Sequence, residues 1–512
     1  MNTTAPAPTH EGVAANSVVA RRLGLDTQYE AVVFMHKDCH ICRSEGFAAH
    51  ARVLLCHGGQ QVIATLYQVA GELIARHEAA LSESAWTRLG LEDGDRIVVT
   101  HPAPLDSLSH IRSRIYGHDL SQSSFHAMIK DVVAGKYSDI HLSSFLTACA
   151  ARSLDQNEVV ALTHAMVEAR ERMTWPAGVI VDKHSVGGLP GNRTTPIIVA
   201  ITASLGLKMP KTSSRAITSP AGTADTMETM APVELDTTAI RRVVEQEGGC
   251  VVWGGAVKLS PADDILIRVE RALDLDTEGQ MIASVLSKKI AAGSTHLVID
   301  VPLGPTAKVR SLEAAEALSR GLLSVAELFG LRTKVVPTDG SQPVGRGIGP
   351  ALEARDVLSV LRCEQDAPRD LRQRALTLTG ELLELAGTAP KSQGAAMAEQ
   401  ALDSGRAWTK FQRICDAQGG MRVPPTSHQN RPVLAPRAGR IDAIDNRRIA
   451  RLAKLAGAPD DKAAGVDLHV TVGDTVTAGQ PLCTVHADAP GELAYAFDYA
   501  AANRDIVGID DR

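Results

Sequence analysis

The densest concentration of reactive side chains lies in Val181-Asp-Lys-His-Ser-Val-Gly-Gly-Leu-Pro-Gly-Asn-Arg-Thr-Thr195. A short apolar run, Ala177–Val181, leads into it, and an apolar stretch, Pro196–Leu207, follows. The first reads as a buried strand and the second as a helix, so the segment between is a polar, Gly-rich turn at a helix start. Free backbone N–H groups and the positive helix end converge there, which makes an oxyanion cradle. Gly187 and Gly188 permit close backbone approach, Lys183 brings a point charge, and Ser185, Thr194 and Thr195 add hydroxyl donors. Neither G-x-x-x-x-G-K-[ST] nor G-x-G-x-x-G occurs here, so neither a P-loop nor a Rossmann dinucleotide site is supported. A second polar loop runs from Pro210 to Asp225 and sets Arg215 among Ser213, Ser214, Thr218, Ser219 and Thr223. That donor set suits a sugar or a phosphate.

The elements that must hold these loops follow from hydrophobic periodicity. Apolar residues recur at helical spacing in Phe125–Val133 and Val159–Met173, with Asp155 as an N-cap before the second. Thr295–Val301 and Arg332–Pro337 read as strands separated by a helix, Leu312–Phe329, and this alternation implies a parallel sheet. Tyr29–Met35, Gln61–Gln68 and the Gly90–Thr100 turn and strand make residues 25–100 a small β-rich, barrel-like domain. From Pro424 onward, short β runs with Gly turns, notably Val466–Val485, resemble the hammerhead of biotinyl or lipoyl carriers, but no Lys stands at a hairpin tip to carry a group. The expected fold class is α/β. It combines a helical domain (118–178 and 262–292), a mixed or parallel-sheet α/β domain (179–261 and 293–420), the N-terminal domain and a C-terminal hammerhead-like β/α cap (424–512).

Composition bounds the partners. The 512 residues carry 53 Lys+Arg against 59 Asp+Glu, a net charge of -6, and only 3% are aromatic. A nucleic-acid binder needs a basic face and stacking platforms, so small-molecule chemistry fits better. No apolar run reaches the length of a membrane span. Met1–Gly24 lacks a continuous apolar core and reads as a loose tail rather than a secretory signal, which leaves the cytoplasm as the expected compartment. Eight scattered cysteines do not form a disulfide framework. Cys39 and Cys42 form a C-x-x-C with His36, His40, Cys56 and His57 nearby, but a closed zinc site wants four ligands at familiar spacing, and no metal is expected.

The two polar segments together resemble the thymidine phosphorylase and AMP phosphorylase family of pentosyltransferases, whose signature is Asp-Lys-His-Ser-x-Gly-Gly followed by a Ser/Thr-rich loop containing Gly-Thr. The resemblance runs from about Ser123 to the C-terminus and includes Leu286-Ser-Lys-Lys289 and Thr338-Asp-Gly-Ser-Gln342. Gly188-Leu-Pro-Gly-Asn-Arg193, Thr212-Ser-Ser-Arg-Ala-Ile-Thr-Ser219 and the extra N-terminal domain look like the long members, AMP phosphorylase and its bacterial thymidine-phosphorylase-like relatives.

This resemblance implies attack of inorganic phosphate on C1′ of a nucleoside, thymidine in the first reading, giving free base and pentose 1-phosphate. A nucleoside 5′-monophosphate such as AMP is the alternative. Phosphate is a co-substrate and no cofactor is implied. Lys183, Ser185, Thr195, Ser214 and Thr223 match the family's phosphate-binding positions. Gly188, Ser214, Arg215, Ala216, Ile217, Thr218, Ser219, Thr223, Ser284 and Lys308 match nucleotide-binding positions. Asp276 matches a proton donor of the AMP branch, while His184, Ser284 and Lys288 match groups that contact the base in the nucleoside branch. An unperturbed Asp has a pKa near ~3.9 and needs burial or neighbouring Asp274 to donate, whereas an unperturbed His titrates near ~6.5. The nucleoside branch also carries a base-binding Arg, and Arg268 and Arg271 both stand off the expected spacing. For a 5′-phosphate the cationic candidates are Arg193, Lys211, Arg215 and Lys308, of which Lys211 could equally be a solvated surface lysine. The resemblance further implies a homodimer, with substrate held between helical and α/β domains. Two readings compete: a phosphoribosyltransferase, which would need Mg²⁺ carboxylates in the cradle where no acidic pair is evident, and a zinc- or redox-linked binding protein built on Cys39 and Cys42.

Overall fold

Apolar alternation along the N-terminal strands closes them into a barrel in the computed structural model, which describes residues 16–510 except 28, 29, 170, 171, 177, 217, 218, 258, 259, 274 and 276. The strands are β1 (Ser17–Leu25), β2 (Val32–His36), β3 (Arg52–His57), β4 (Gln60–Val69), β5 (Glu78–Ser82) and β6 (Arg96–Thr100). Their closed order, β1-β5-β2-β4-β3-β6, leaves no free sheet edge. Val33, Met35, Val53, Leu55, Ile97 and Val99 fill the interior. Residues 17–24, expected as tail, instead make most of β1. Val18 and Ala20 alternate into the barrel core, and that burial holds the segment between β5 and β6. Helices α1 (Leu108–Ile115), α2 (Gln122–Val133) and α3 (Asp139–Ala151) complete the first of two compact units, Met1–Arg152.

The second unit, Ser153–Arg512, begins with α4 (Gln156–Glu168). Asp155 caps it as the sequence indicates: its carboxylate accepts from the Glu158 N–H at 2.8 Å, and the Glu158 carboxylate accepts from the Asp155 N–H at 3.0 Å. Five parallel strands follow, β7 (Val181–Ser185), β8 (Met209–Ser213), β9 (Gly249–Trp253), β10 (His296–Leu303) and β11 (Arg332–Asp339). They lie in the order β11-β10-β7 and β8-β9, joined by a parallel bridge between Ile180 and Lys208. The intervening helices are α5 (Thr194–Ser204), α6 (Thr223–Glu228), α7 (Thr237–Glu247), α8 (Pro261–Leu273), α9 (Glu278–Ala291) and α10 (Leu312–Leu328).

The chain leaves β7 towards β8 and β9, then returns to add β10 and β11 on the other side of β7. The connections that leave β7 and β10 therefore run to opposite sides of the sheet, and such a switch point is where open parallel sheets hold ligands. The strand expected at Ala177–Val181 sits further along. Asp182, Lys183, His184 and Ser185 belong to β7 itself and not to the turn after it, because buried partners of opposite charge let ionic side chains occupy a central strand. Helix α5 is apolar on all sides and buried on all sides, packed against α12 (Arg369–Leu385) and α14 (Arg406–Gln418), with α11 (Pro350–Leu361) and α13 (Gly394–Asp403) alongside.

Strand β12 (Gly347–Ile348) belongs to the C-terminal layer and not to the parallel sheet. It pairs there in the order β12-β15-β17-β13 with β13 (Gln429–Leu434), β15 (Gly465–Leu468) and β17 (Pro481–Ala487). A second small sheet, β16-β14-β18, uses β14 (Gly439–Ile444), β16 (Thr475–Val476) and β18 (Val507–Asp510). Helices α15 (Asn446–Leu455) and α16 (Pro490–Ala502) cover these sheets. The expected β/α cap is thus present. Buried Asn446 donates to the Gly340 carbonyl at 3.0 Å and to the Thr306 hydroxyl at 2.9 Å, tying α15 to the loops that follow β10 and β11. Among the described residues no helix is long and apolar enough to cross a membrane.

Removing the α4 cap with Asp155→Ala should cost about 1 kcal/mol in a denaturant titration, while Asp155→Asn should stay close to the parent protein. Equal losses in both variants would show that the cap contributes nothing.

Candidate active site

At the switch point the sheet buries an unusual set of charges. Lys183, Lys211 and Lys289 are at most 5% exposed, and so are Asp182 and Asp300. The Lys211 ammonium lies 3.4 Å from one Asp182 oxygen, and that of Lys289 lies 3.0 Å from the other. Lys183 donates to the Thr194 hydroxyl at 2.9 Å and stands 3.8 Å from Asp300. Three lysines thus share two aspartates, and a surplus positive charge in a low-dielectric interior attracts an anion. The same surplus disfavours protonation. Burial lowers the Lys183 pKa to about 8, with Asp300 opposing and Arg193, Arg374 and Lys289 adding to the fall. Burial also pushes Lys211 well below the usual lysine range, against the pull of Asp182 and with the help of Lys289.

Asp300 organises the loops. Its side chain accepts from Asn192 at 2.9 Å and from the Thr338 hydroxyl at 2.6 Å, with the Arg374 guanidinium 3.9 Å away. Asn192 in turn reaches the Ser185 hydroxyl at 3.4 Å. The turn after β7 is pressed against its neighbours. Gly191 has φ +71°, and a Cβ there would sit 2.0 Å from the Val344 carbonyl oxygen. A Cβ on Gly188 would lie 2.7 Å from Lys308, so only glycine lets the loops after β7 and β10 meet. Among the described residues, buried Ser213 Oγ and Asn192 Oδ1 have no hydrogen-bond partner, and a polar ligand would satisfy such atoms.

Most residues singled out from the sequence come together here. Lys183, His184 and Ser185 end β7, Thr195 is buried in the first turn of α5, and Gly188 faces exposed Lys308. Ser284 and Lys288 stand one turn apart on α9. The Lys288 ammonium lies 2.6 Å from Asp263 on α8; burial works against its charge, but Asp263 raises its pKa overall. Neighbouring Asp264 is pushed up to about 6 by burial and by Asp263. His184 behaves differently from a free imidazole. Burial, then Lys289, Lys211, Lys288 and Lys183, hold its pKa well below the usual histidine range, so near neutral pH the ring is uncharged. Asp274, Asp276, Ile217, Thr218 and the side chain of Arg271 lie outside the described residues.

Several cations have partners within the fold. Arg193 donates to Glu353 at 2.6 Å, to the Thr223 hydroxyl at 2.9 Å and to the Ala221 carbonyl at 3.0 Å. Arg215 is held by Asp225, Glu228 and Glu234 at 2.7–3.1 Å and stacks 4.7 Å over Trp253. Asp225 also accepts from the N–H groups of Ala216 and Gly222, which holds Ala216 against the start of α6. In that loop Ser214 is exposed and Ser219 donates to the Ala221 carbonyl at 2.9 Å. Lys211 is not a solvated surface lysine: it lies in β8, within the segment read as a loop, and donates to the Thr212 carbonyl at 2.6 Å. The buried carboxylates of this region, Asp182 on β7 and Asp300 on β10, are each engaged by lysine: Asp182 by Lys211 and Lys289, Asp300 by Lys183. Sequence reasoning assigned no role to Lys289, Asp300, Arg374 or Glu353. For Asp300 a signal existed, one carboxylate inside the apolar run Leu297–Val301.

Comparison with known proteins agrees with this geometry. Residues 177–408 match the family described as glycosyl transferase family, a/b domain, 108–170 its helical bundle domain, and 440–507 the pyrimidine nucleoside phosphorylase C-terminal domain. The chain is 61% identical over 489 residues to a protein of Polaromonas sp. strain JS666, covering 96% of each, and 60% identical over 506 residues to one of Sphingopyxis alaskensis, covering 99% of this chain and 98% of that one. Both carry the name "Putative thymidine phosphorylase". The chain belongs to the thymidine phosphorylase family. It is a pentosyltransferase-type enzyme. Its fold is also that of anthranilate phosphoribosyltransferase from Thermus thermophilus, with a TM-score of 0.50 at 21% identity over 60% of this chain and 99% of that one.

The Arg193–Glu353 pair makes a stability prediction. Arg193→Met leaves a buried carboxylate without its guanidinium and should cost about 3–5 kcal/mol in denaturant unfolding. Arg193→Met combined with Glu353→Leu should recover most of that loss; no recovery would mean the pair is not the reason.

Proposed function

We propose that the chain catalyses phosphorolysis of a nucleoside N-glycosidic bond, with thymidine and phosphate giving thymine and 2-deoxyribose 1-phosphate. The observation that carries the reading is the surplus of buried lysine over aspartate at the β7–β10 switch point, in a chain of this family. Phosphate dianion is the co-substrate. Lys183, Ser185 and Thr195 hold it, with Ser214 and Thr223 from the second loop, and no cofactor enters. The cluster brings the anion beneath C1′ and stabilises the charge passing through the oxocarbenium-like transition state.

Negative charge grows on the departing base, and Lys288 and Ser284 on α9 face that charge. The uncharged His184 ring contributes a hydrogen bond and not a cationic proton. Leaving-group protonation then falls to Asp276. Few aromatic residues are available, so hydrogen bonds and charge hold the base in place of stacking. The enzyme works as a homodimer in the cytoplasm on small molecules alone.

A second reading, a nucleoside 5′-monophosphate such as AMP, is favoured by one observation: exposed Lys308 packs against Gly188 beside the cradle. Against it, Arg193, Arg215 and Lys211 are already engaged by protein partners.

Incubation with phosphate and a panel of thymidine, uridine, AMP, CMP and UMP should release base from thymidine fastest, with Lys183→Ala slower by roughly 100-fold. Base release from none of the panel would overturn the phosphorylase reading, and release from AMP alone would select the second one. Lys183 is charged below its pKa of about 8, so KM for phosphate should climb as the pH rises through about 8. A KM that stays flat from pH 7 to 9 would contradict the assignment of Lys183 to phosphate.

A further inference from the structure

Cys39 and Cys42 are absorbed by nothing in the site above. They sit in the barrel unit just after β2: Cys39 caps the short helix His40–Ser44, and Cys42 lies within that helix. The Cys39 backbone is extended, with φ −65° and ψ 149°, and its sulfur accepts the Cys42 N–H at 3.1 Å. The two thiols are also joined by a side-chain hydrogen bond, so the sulfurs face one another. The Cys39 N–H bonds the His36 carbonyl at 2.9 Å, and the Lys37 N–H bonds the Val69 carbonyl at 3.0 Å, so the approach to the pair is fixed to the barrel wall. Cys39 is wholly buried and Cys42 is 4% exposed, both within the barrel's apolar core. Among the described residues no His, Cys, Asp or Glu brings a third ligand atom within 4.8 Å of both sulfurs, so the pair lacks the set that a zinc ion needs.

We propose that Cys39 and Cys42 are a redox-active dithiol that closes reversibly to an intramolecular disulfide by exchange with small disulfides. Two cysteines separated by two residues at a helix start have the spacing a disulfide requires without moving distant backbone. The thiols are asymmetric. A hydrogen bond from the Cys42 thiol, opposed by burial, holds Cys39 at about 6, and the same contact together with burial drives Cys42 far upward. Cys39 is therefore the attacking thiolate and Cys42 the resolving thiol.

In the first step the Cys39 thiolate attacks one sulfur of a low-molecular-weight disulfide, forming a mixed disulfide and expelling one small thiolate. Cys42 then gives up its proton and attacks the Cys39 sulfur, and a second small thiolate leaves. The protein loses two electrons and two protons, and the small disulfide becomes two thiols. Both sulfurs lie among apolar side chains, so reagent reaches them through local opening of the helix His40–Ser44.

The test uses the full-length protein equilibrated in mixtures of reduced and oxidised glutathione, alkylated, and cleaved with trypsin after Lys37 and Arg43. The peptide Asp38–Arg43 contains both cysteines and no others. It should pass from doubly alkylated to a form that takes no alkyl group and is two hydrogens lighter, with one reversible midpoint. Cys42→Ser should instead trap a glutathione adduct at Cys39, and Cys39→Ser should leave Cys42 alkylated throughout. A peptide that stays doubly alkylated in fully oxidised glutathione, or a disulfide that joins Cys42 to Cys56, overturns the proposal. So does stoichiometric zinc released from the native protein by a thiol reagent.

Discussion

Lys183, Lys211 and Lys289 meet Asp182 and Asp300 inside the parallel sheet, and the excess of lysine there constrains everything built around it. A charge taken out of water is costly unless paired, and three ammonium groups cannot all be paired by two carboxylates. Burial lowers proton affinity there and the neighbouring cations add to the fall, to about 8 at Lys183 and to well below the usual lysine range at Lys211. A buried corner of this charge attracts an anion more strongly than it attracts water.

The surrounding fold serves that corner. Asp300 is buried because β10 lies between β7 and β11, and from there it holds Asn192 on the β7 turn and Thr338 at the end of β11. Gly188 and Gly191 let the turn approach Lys308 and Val344, so the cradle is closed by backbone and not by long side chains. Arg193 extends the arrangement to the second loop by donating to Thr223 and to Glu353 on α11. The C-terminal layer adds Asn446, whose hydrogen bonds pin the loops at the carboxyl ends of β10 and β11. An electrostatic excess of this kind needs rigid walls, since any loosening would admit water and remove the low dielectric that gives it strength.

Much of this was legible in the residues. The helical period predicted α2, α4 and α10, Asp155 announced the α4 cap, and the Asp182–Thr195 motif marked the cradle. Other features were hidden for physical reasons. Asp182 to Ser185 carry too much charge to look like a strand, and they form one only because lysines and aspartates from β8, β10 and α9 neutralise one another in three dimensions. Lys211 and Lys289 look like surface residues until the sheet closes over them. Ser17–Leu25 sits beside a polar stretch, and its alternation gains meaning only when β5 and β6 supply partners. Arg193 and Arg215 announced themselves as anion ligands, yet their carboxylate partners are 10 to 160 residues away in sequence. Pairwise neutralisation over such distances leaves no local trace.

The proton balance of phosphate binding, measured by calorimetry in buffers of different ionisation enthalpy at about pH 8.5, reports directly on the buried lysines. Phosphate is almost wholly dianionic there, and the pH lies above the Lys183 pKa of about 8. The account predicts net proton uptake when phosphate binds, and less uptake in Lys183→Met. Phosphate binding with no proton uptake, or with release, would contradict the claim that a buried excess of lysine awaits an anion.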